Sequence, residues 1–315
     1  MPSDSQGSTH PVAPHLALIA VQILFGTWPV LGKFVLRSMS SSLLVASRLT
    51  GAAIVFLIIQ GNIRPLLQMR RRDLLLIALS SGIGVVGNQF LYVKGLSLTT
   101  AINATLISTT IPVFTLLVSI VFGYDQLSLR RVTGMVLAIT GVLYLVNPFR
   151  GDFSTQTTIG NILIVSNSLL YGTYIVISKD LFERYGALNV ITWIFLAGII
   201  VTIPVGVVAM RNQDLQSISG AVWLSVAVVI LLPTVGAYYL NAWALTKVPP
   251  SIVAVYIYLQ PLIAFGLAPV LLGETWNSRT IVSSILIFAG VAIVTRRGRS
   301  LAIREISEHP DALAR

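Results

Sequence analysis

Part of this chain is written twice, and that repetition constrains its fold more than any other feature. Residues Ile107 to Val146 (ISTTIPVFTLLVSIVFGYDQLSLRRVTGMVLAITGVLYLV) are echoed by Tyr256 to Val294 (YIYLQPLIAFGLAPVLLGETWNSRTIVSSILIFAGVAIV). A shift of 149 positions lays Pro112 on Pro261, Asp125 on Glu274, Arg130 on Arg279, Gly141 on Gly290 and Val142 on Val291. Upstream, FGTWPVLGK (Phe25 to Lys33) matches YGTYIVISK (Tyr171 to Lys179) at a shift of 146, aligning Gly26 with Gly172, Thr27 with Thr173 and Lys33 with Lys179. Self-similarity over such a length marks a duplicated structural unit.

The medium in which the unit folds follows from composition. With 55% hydrophobic residues, 10% charged residues and a mean hydropathy of +0.85, the chain lies far from the globular balance, in which about a quarter of residues are charged. It reads as an integral membrane protein. Runs of about twenty apolar residues cross a bilayer, and ten lie near Leu16–Leu36, Leu43–Gln60, Leu74–Val93, Thr99–Phe122, Val132–Val146, Ile159–Ile177, Leu188–Met210, Ala221–Leu240, Ile252–Leu272 and Thr280–Thr295. The predicted fold is all-α, ten transmembrane helices in two five-helix repeats. Residues 1–14 form a polar, disordered N-terminal tail, 15–148 the first repeat, 149–157 a linker, 158–296 the second repeat and 297–315 a basic tail. No small-residue cleavage site follows the first run, which reads as an anchor rather than a signal peptide.

An odd number of spans per unit sends the second copy into the membrane from the opposite side, so the repeats are inverted. Charge agrees. With the N-terminus inside, 14 Lys and Arg fall on the inner side and 6 on the outer, with Arg48 within the second span. That bias places both termini in the cytoplasm of a multi-pass protein of the plasma (inner) membrane. The basic cluster Arg70, Arg71 and Arg72 of the first unit has an uncharged counterpart around Leu215 to Gly220. The formal charge of +10 is therefore a topology signal, and no nucleic-acid partner is expected.

Polar residues within spans are costly and face neighbouring helices or a water-filled cavity. On the first span Gln22, Gly26, Pro29 and Lys33 form one helical stripe with Trp28 beside it, and Asn167, Tyr171, Tyr174 and Ser178 do so on the sixth. The third carries Ser81, Asn88, Gln89 and Tyr92, the eighth Thr234, Tyr238 and Asn241, the fourth Thr99, Asn103 and Thr110, and the ninth Tyr256 and Gln260. The fifth and tenth are nearly bare. Six spans thus contribute to a shared interior, whose predicted solute-binding residues are Trp28, Asn88, Gln89, Tyr92, Asn103, Tyr171, Tyr174, Tyr238, Asn241, Tyr256 and Gln260. Aromatic rings supply surface for a flat solute while Asn and Gln fix its polar edge. Tyr239 and Trp243 extend that aromatic set, Trp243 falling near a span end where an interfacial belt is the simpler reading. Polar groups also bridge membrane helices without any ligand, and Lys33 and Lys179 read as snorkelling to headgroups.

Pro112 and Pro261 sit mid-span at matching places, where a missing backbone donor loosens a turn, and read as paired hinges. His10, His15 and His309 lie outside the apolar runs and cysteine is absent, which removes disulfides, thiolate chemistry and most metal sites. No buried carboxylate, P-loop, HExxH or GxSxG motif is present, so no catalytic residue, cofactor or metal is expected. Gly134, Ala138 and Gly141 permit close helix contact, a homodimer among the options.

These features resemble the drug/metabolite transporter superfamily, specifically the bacterial EamA-type exporters with ten spans. The likeness runs from about Leu16 to Arg296 and is carried by FGTWPVLGK, NQFLYVKGLSLTTAINATLI before Pro112, YIYLQPLIAFGLAPVLLGE with Pro261 and Glu274, and the closing LIFAGVAIV. Asp125 stands where a glutamate is usual. The resemblance implies a basket of inverted repeats around a cavity lined by spans one, three, four, six, eight and nine, and alternating-access export of a small metabolite, often an amino acid. A non-transporting scaffold or sensor, or a membrane-embedded enzyme, are the competing readings.

Overall fold

A computed structural model describes residues 12–62, 64, 69–123, 128–146, 156–248 and 250–295. Residues 1–11, Asp125, the linker at 149–155 and the tail from 296 lie outside the described residues.

Every described element is helical: α1 (Val12–Val35), α2 (Ser41–Gln60), α3 (Arg71–Leu98), α4 (Ala101–Val121), α5 (Leu129–Val146), α6 (Gln156–Ile177), the short α7 (Lys179–Tyr185), α8 (Ala187–Arg211), α9 (Gly220–Leu245), α10 (Ile252–Leu272) and α11 (Ser278–Thr295). Among the described residues eight helices, all but α5, α7 and α11, are long and apolar enough to cross a membrane. α5 and α11 carry shorter apolar stretches, Val132–Leu145 and Ser278–Gly290. Ile58, Val121, Ile200, Leu262 and Val270 stand exposed, a perimeter that suits hydrocarbon. The chain is a multi-pass membrane protein. His15, read as preceding the first span, lies inside α1, with its Nδ1 2.7 Å from the Tyr256 hydroxyl.

Lipid tails are as apolar as leucine, so close backbone approach and hydrogen bonding must hold these helices together. α3 meets α6 where Gly95 faces Gly160, and a β-carbon on either would come within 2.9 or 2.8 Å of the other's carbonyl oxygen. α5 and α11 pair with each other even more closely. A β-carbon at Gly290 would lie 2.5 Å from the Ala138 nitrogen and from the Gly134 oxygen. The small-residue stripe of α5 is therefore covered by α11 within the chain, and a homodimer would have to use another face.

Four helices are irregular, at corresponding places in the two halves. α3 widens into a π-turn over Gly82–Gly87 and α9 into another over Ile230–Gly236. The Asn88 and Ala237 amides reach back five residues, to the Ile83 and Leu232 oxygens. α4 is interrupted at Thr109 and Thr110, whose hydroxyls donate to the Leu106 and Ile107 oxygens, and resumes at Ile111 with Pro112 in its first turn. α10 tightens into a 3-10 turn over Tyr256–Leu259 and resumes at Gln260 with Pro261 in its first turn. The sequence suggested mid-helix prolines that each remove a hydrogen bond. Instead each proline opens a helical segment, a position where its missing N–H costs nothing, and the preceding residues carry the break.

Candidate functional site

The centre of the bundle is organised around Arg48 of α2, which is 1% exposed. Its Nε donates to Thr234 Oγ1 at 3.1 Å and its Nη1 to Gln89 Oε1 at 2.6 Å. The guanidinium lies over the Trp28 ring, 3.7 Å from the centroid. Gln89 passes the network on, its Nε2 donating to the Tyr238 hydroxyl at 2.6 Å and to Asn88 Oδ1 at 3.2 Å. Both π-turns serve this geometry: Thr234 lies within one, where its hydroxyl donates to the Val229 oxygen, and Asn88 and Gln89 follow the other.

Aromatic rings close around the network. Trp28 stacks on Tyr92 with centroids 6.2 Å apart, and Tyr238 takes edge contacts with Phe25, Phe195 and Tyr171. Tyr171 in turn packs on Tyr174 and accepts from Asn241 Nδ2 at 3.3 Å. Asn167 Nδ2 donates to the Asn88 carbonyl. Of the residues predicted from sequence, the structure thus gathers Trp28, Asn88, Gln89, Tyr92, Tyr171, Tyr174, Tyr238 and Asn241 into one buried cluster. The other three stand apart from it. Gln260 donates to Gln22 Oε1 at 2.7 Å and ties α10 to α1; Asn103 is joined to Thr99, which donates to Asn161 Oδ1; Tyr256 bonds His15. Tyr239 is exposed and Trp243 half-buried, outside the cluster.

One end of the cluster is sealed by a pair of charges that the sequence left without this role. Lys33 does not snorkel: its Nζ donates to the carbonyl of Leu96 at 2.8 Å, and also to those of Ser97 and Thr99, capping the C-terminus of α3. Immediately beyond, the Glu274 carboxylate accepts from the Ala101 and Ile102 amides at 2.8 and 3.0 Å, capping the N-terminus of α4. Each charge meets the complementary pole of a helix dipole. In the second half Lys179 donates to the Leu245 oxygen at the end of α9, besides pairing with Glu183.

The sequence led to an open, solute-sized hollow, but its polar side chains are here bonded to one another. The two best-formed concavities lie elsewhere, one between α2 and α8 near Ser42 and Pro204, the other between α10 and α11 walled by Phe265, Trp276 and Phe288. Arg48 was legible only as a charge inside a span. The signal that singles it out is its place well within an apolar run, SRLTGAAIVFLI. Its acceptors come from other helices and could not be read from that run.

A multi-pass helical bundle with a closed, polar and aromatic centre defines a class: membrane proteins that handle a solute within the bilayer. The chain belongs to the EamA-like transporter family, whose model matches residues 13–147 and again 158–296. It is a membrane transporter. It is similar to a protein of Streptantibioticus cattleyicolor named a probable terminal-alkyne amino-acid exporter, 27% identical over 80% of this chain and 82% of that one. An Archaeoglobus fulgidus protein named an uncharacterized transporter is 28% identical over 66% of this chain and 71% of its own length. The Escherichia coli K12 protein YedA, named an uncharacterized inner membrane transporter, is 25% identical over 88% and 89%. A solved crystal structure shares the fold, with a TM-score of 0.66, 18% identity, and coverage of 91% of this chain and 98% of that one.

Proposed function

We propose that this transporter is a secondary carrier that exports small metabolites such as amino acids by alternating access, and that the described conformer is an occluded one. The observation that carries this is the closed central cluster flanked by matched irregularities. The π-turns, the proline-led breaks in α4 and α10, and the bonds from Lys33 to Leu96 and from Lys179 to Leu245 recur at shifts close to those of the sequence repeat. They support two inverted repeats, with α5 and α11 completing ten spans; so does the double match to the family model. The Lys and Arg bias supports cytoplasmic termini in an inner membrane. The name of the Streptantibioticus cattleyicolor relative supports an amino-acid-like solute and outward direction.

On this reading Trp28, Asn88, Gln89, Tyr92, Tyr171, Tyr174, Tyr238 and Asn241 contact the solute when the cluster opens. Asn103, Tyr256 and Gln260 line its approaches, and Pro112 and Pro261 mark the hinges. Transport rather than membrane-embedded catalysis is favoured because the cluster offers no carboxylate, thiol or histidine to act as general acid or base. Asn241→Leu and Gln89→Leu should each lower flux about tenfold in proteoliposomes loaded with a panel of labelled amino acids, the loss expected for one solute hydrogen bond. Unchanged flux in both variants, at wild-type abundance, would remove the central cluster from the pathway.

A further inference from the structure

The geometry points to Arg48 as the docking point for a carboxylate of the transported solute, and to Gln89 as the neutral stand-in that occupies that point when no solute is bound. The inference rests on the transporter reading of the same cluster and deepens it by naming the charge of the cargo.

Arg48 is a cation buried within the bilayer span of α2, yet no described Asp or Glu forms an ion pair with it. The described carboxylates lie elsewhere: Asp73 is held by Arg184 and Tyr185, Glu183 by Lys179, and Glu274 by the start of α4. Stripping a guanidinium of water without an opposite charge costs several kcal/mol, and membrane-buried ionisable groups mark pathways by default. The acceptors it has are neutral, Thr234 Oγ1 and Gln89 Oε1. Its Nη2 makes no hydrogen bond to a described residue. An arginine used only to tie helices together would direct its whole donor fork at fixed acceptors. Here part of the fork is unused, one face is shielded by Trp28, and the partner at Nη1 is an amide oxygen.

An amide oxygen is the uncharged counterpart of a carboxylate oxygen, and the Gln89 side chain has somewhere to go. Its Nε2 is already anchored to Tyr238 and Asn88, so the amide can swing from Arg48 while keeping one of those bonds. A planar monoanion then receives two parallel N–H bonds from the guanidinium, with Trp28, Tyr92 and Tyr238 against its body. A solute's ammonium group would meet no described carboxylate in the cluster. The cargo class is therefore a carboxylate with a flat or apolar body, preferred as a net anion over the zwitterion, with amines and neutral alcohols excluded.

Because Trp28 touches the guanidinium, occupation of Arg48 should change tryptophan emission. Purified full-length protein would be titrated with 3-phenylpropionate, phenylalanine, phenethylamine and 3-phenylpropanol, which share a body and differ in charge. The expected result is a saturable response to phenylpropionate, a weaker one to phenylalanine and none to the amine or alcohol. Arg48→Gln should weaken phenylpropionate binding by about 10- to 100-fold, the loss of charge-assisted hydrogen bonds. Because that variant leaves Gln89 and Thr234 unpaired and can fail to fold, Gln89→Glu is the decisive companion. It places a permanent carboxylate on Arg48, so it should retain or gain thermal stability while losing the phenylpropionate response. Equal binding of the alcohol or amine, no response of the wild type to the anion, or undiminished anion binding in Gln89→Glu would each overturn the assignment. A wild type that carries amines or alcohols across proteoliposomes and ignores carboxylates overturns the Arg48 proposal alone; one that binds carboxylates through Arg48 but moves no solute overturns the carrier reading alone.

Discussion

Glu274→Ala should open the junction between α3 and α4. The carboxylate holds both first amides of α4, while Lys33 holds the last carbonyls of α3 on the other side of the same turn. Hydrogen bonds to charged groups contribute about 1.5–3 kcal/mol each, so losing the pair should favour conformers open at this end by at least about tenfold. The chain contains no cysteine, which makes the measurement clean. A thiol introduced by Ile102→Cys, at a position now buried, should react with a membrane-impermeant maleimide at least about tenfold faster in the Glu274→Ala background. Lys33→Met should act in the same direction. Neither change should add fully to the other, because they release one junction. Equal labelling rates with and without Glu274 would show that the cap is not a latch.

The second large effect is expected at Gly84, in the π-turn of α3. A β-carbon there would sit 2.2 Å from Tyr174 Cδ2, 2.3 Å from its Cγ and 2.7 Å from its Cβ. These atoms are the root of a side chain, not its flexible tip. Tyr174 has little room to retreat, being 2% exposed and packed against Tyr171 and Phe182. Overpacking of this kind costs about 1–3 kcal/mol, and Gly84→Val should reach the upper end because it also opposes the wide turn. Thermal unfolding in detergent would register the loss. Tyr174→Ala, made in the same protein, should recover much of it, giving a coupling that a double-mutant cycle can read. A Gly84→Val protein as stable as the wild type would mean that α3 and α6 can part without penalty.

What the sequence made legible follows the range of the interactions involved. Apolar runs end where water begins, so the helices could be placed to within a few residues, and helical spacing put Asn88 and Tyr92, or Tyr238 and Asn241, on shared faces. Interactions that join a side chain to distant backbone left no such mark. Lys33 looked like a snorkelling lysine because its acceptors are carbonyls some sixty residues away, at Leu96 and beyond. Tyr256 and Gln260 have the right spacing for a lining, yet their partners are His15 and Gln22 on α1. The π-turns escaped as well. Gly82, Gly84 and Gly87 reveal permissive backbone but not the extra residue per turn. Arg48 was visible, while its meaning depended on acceptors supplied by α3 and α9.

Those two wide turns have a further consequence. Each holds one residue more than a regular helix would use, so deleting a single residue there could relax the turn without breaking the helix. The segment beyond would rotate by about 100°, swinging Gln89 and Tyr92, or Tyr238 and Asn241, off the inner face together. A lineage of such carriers could thus exchange its whole inner surface through one lost codon, a far larger jump in cargo than any single substitution allows.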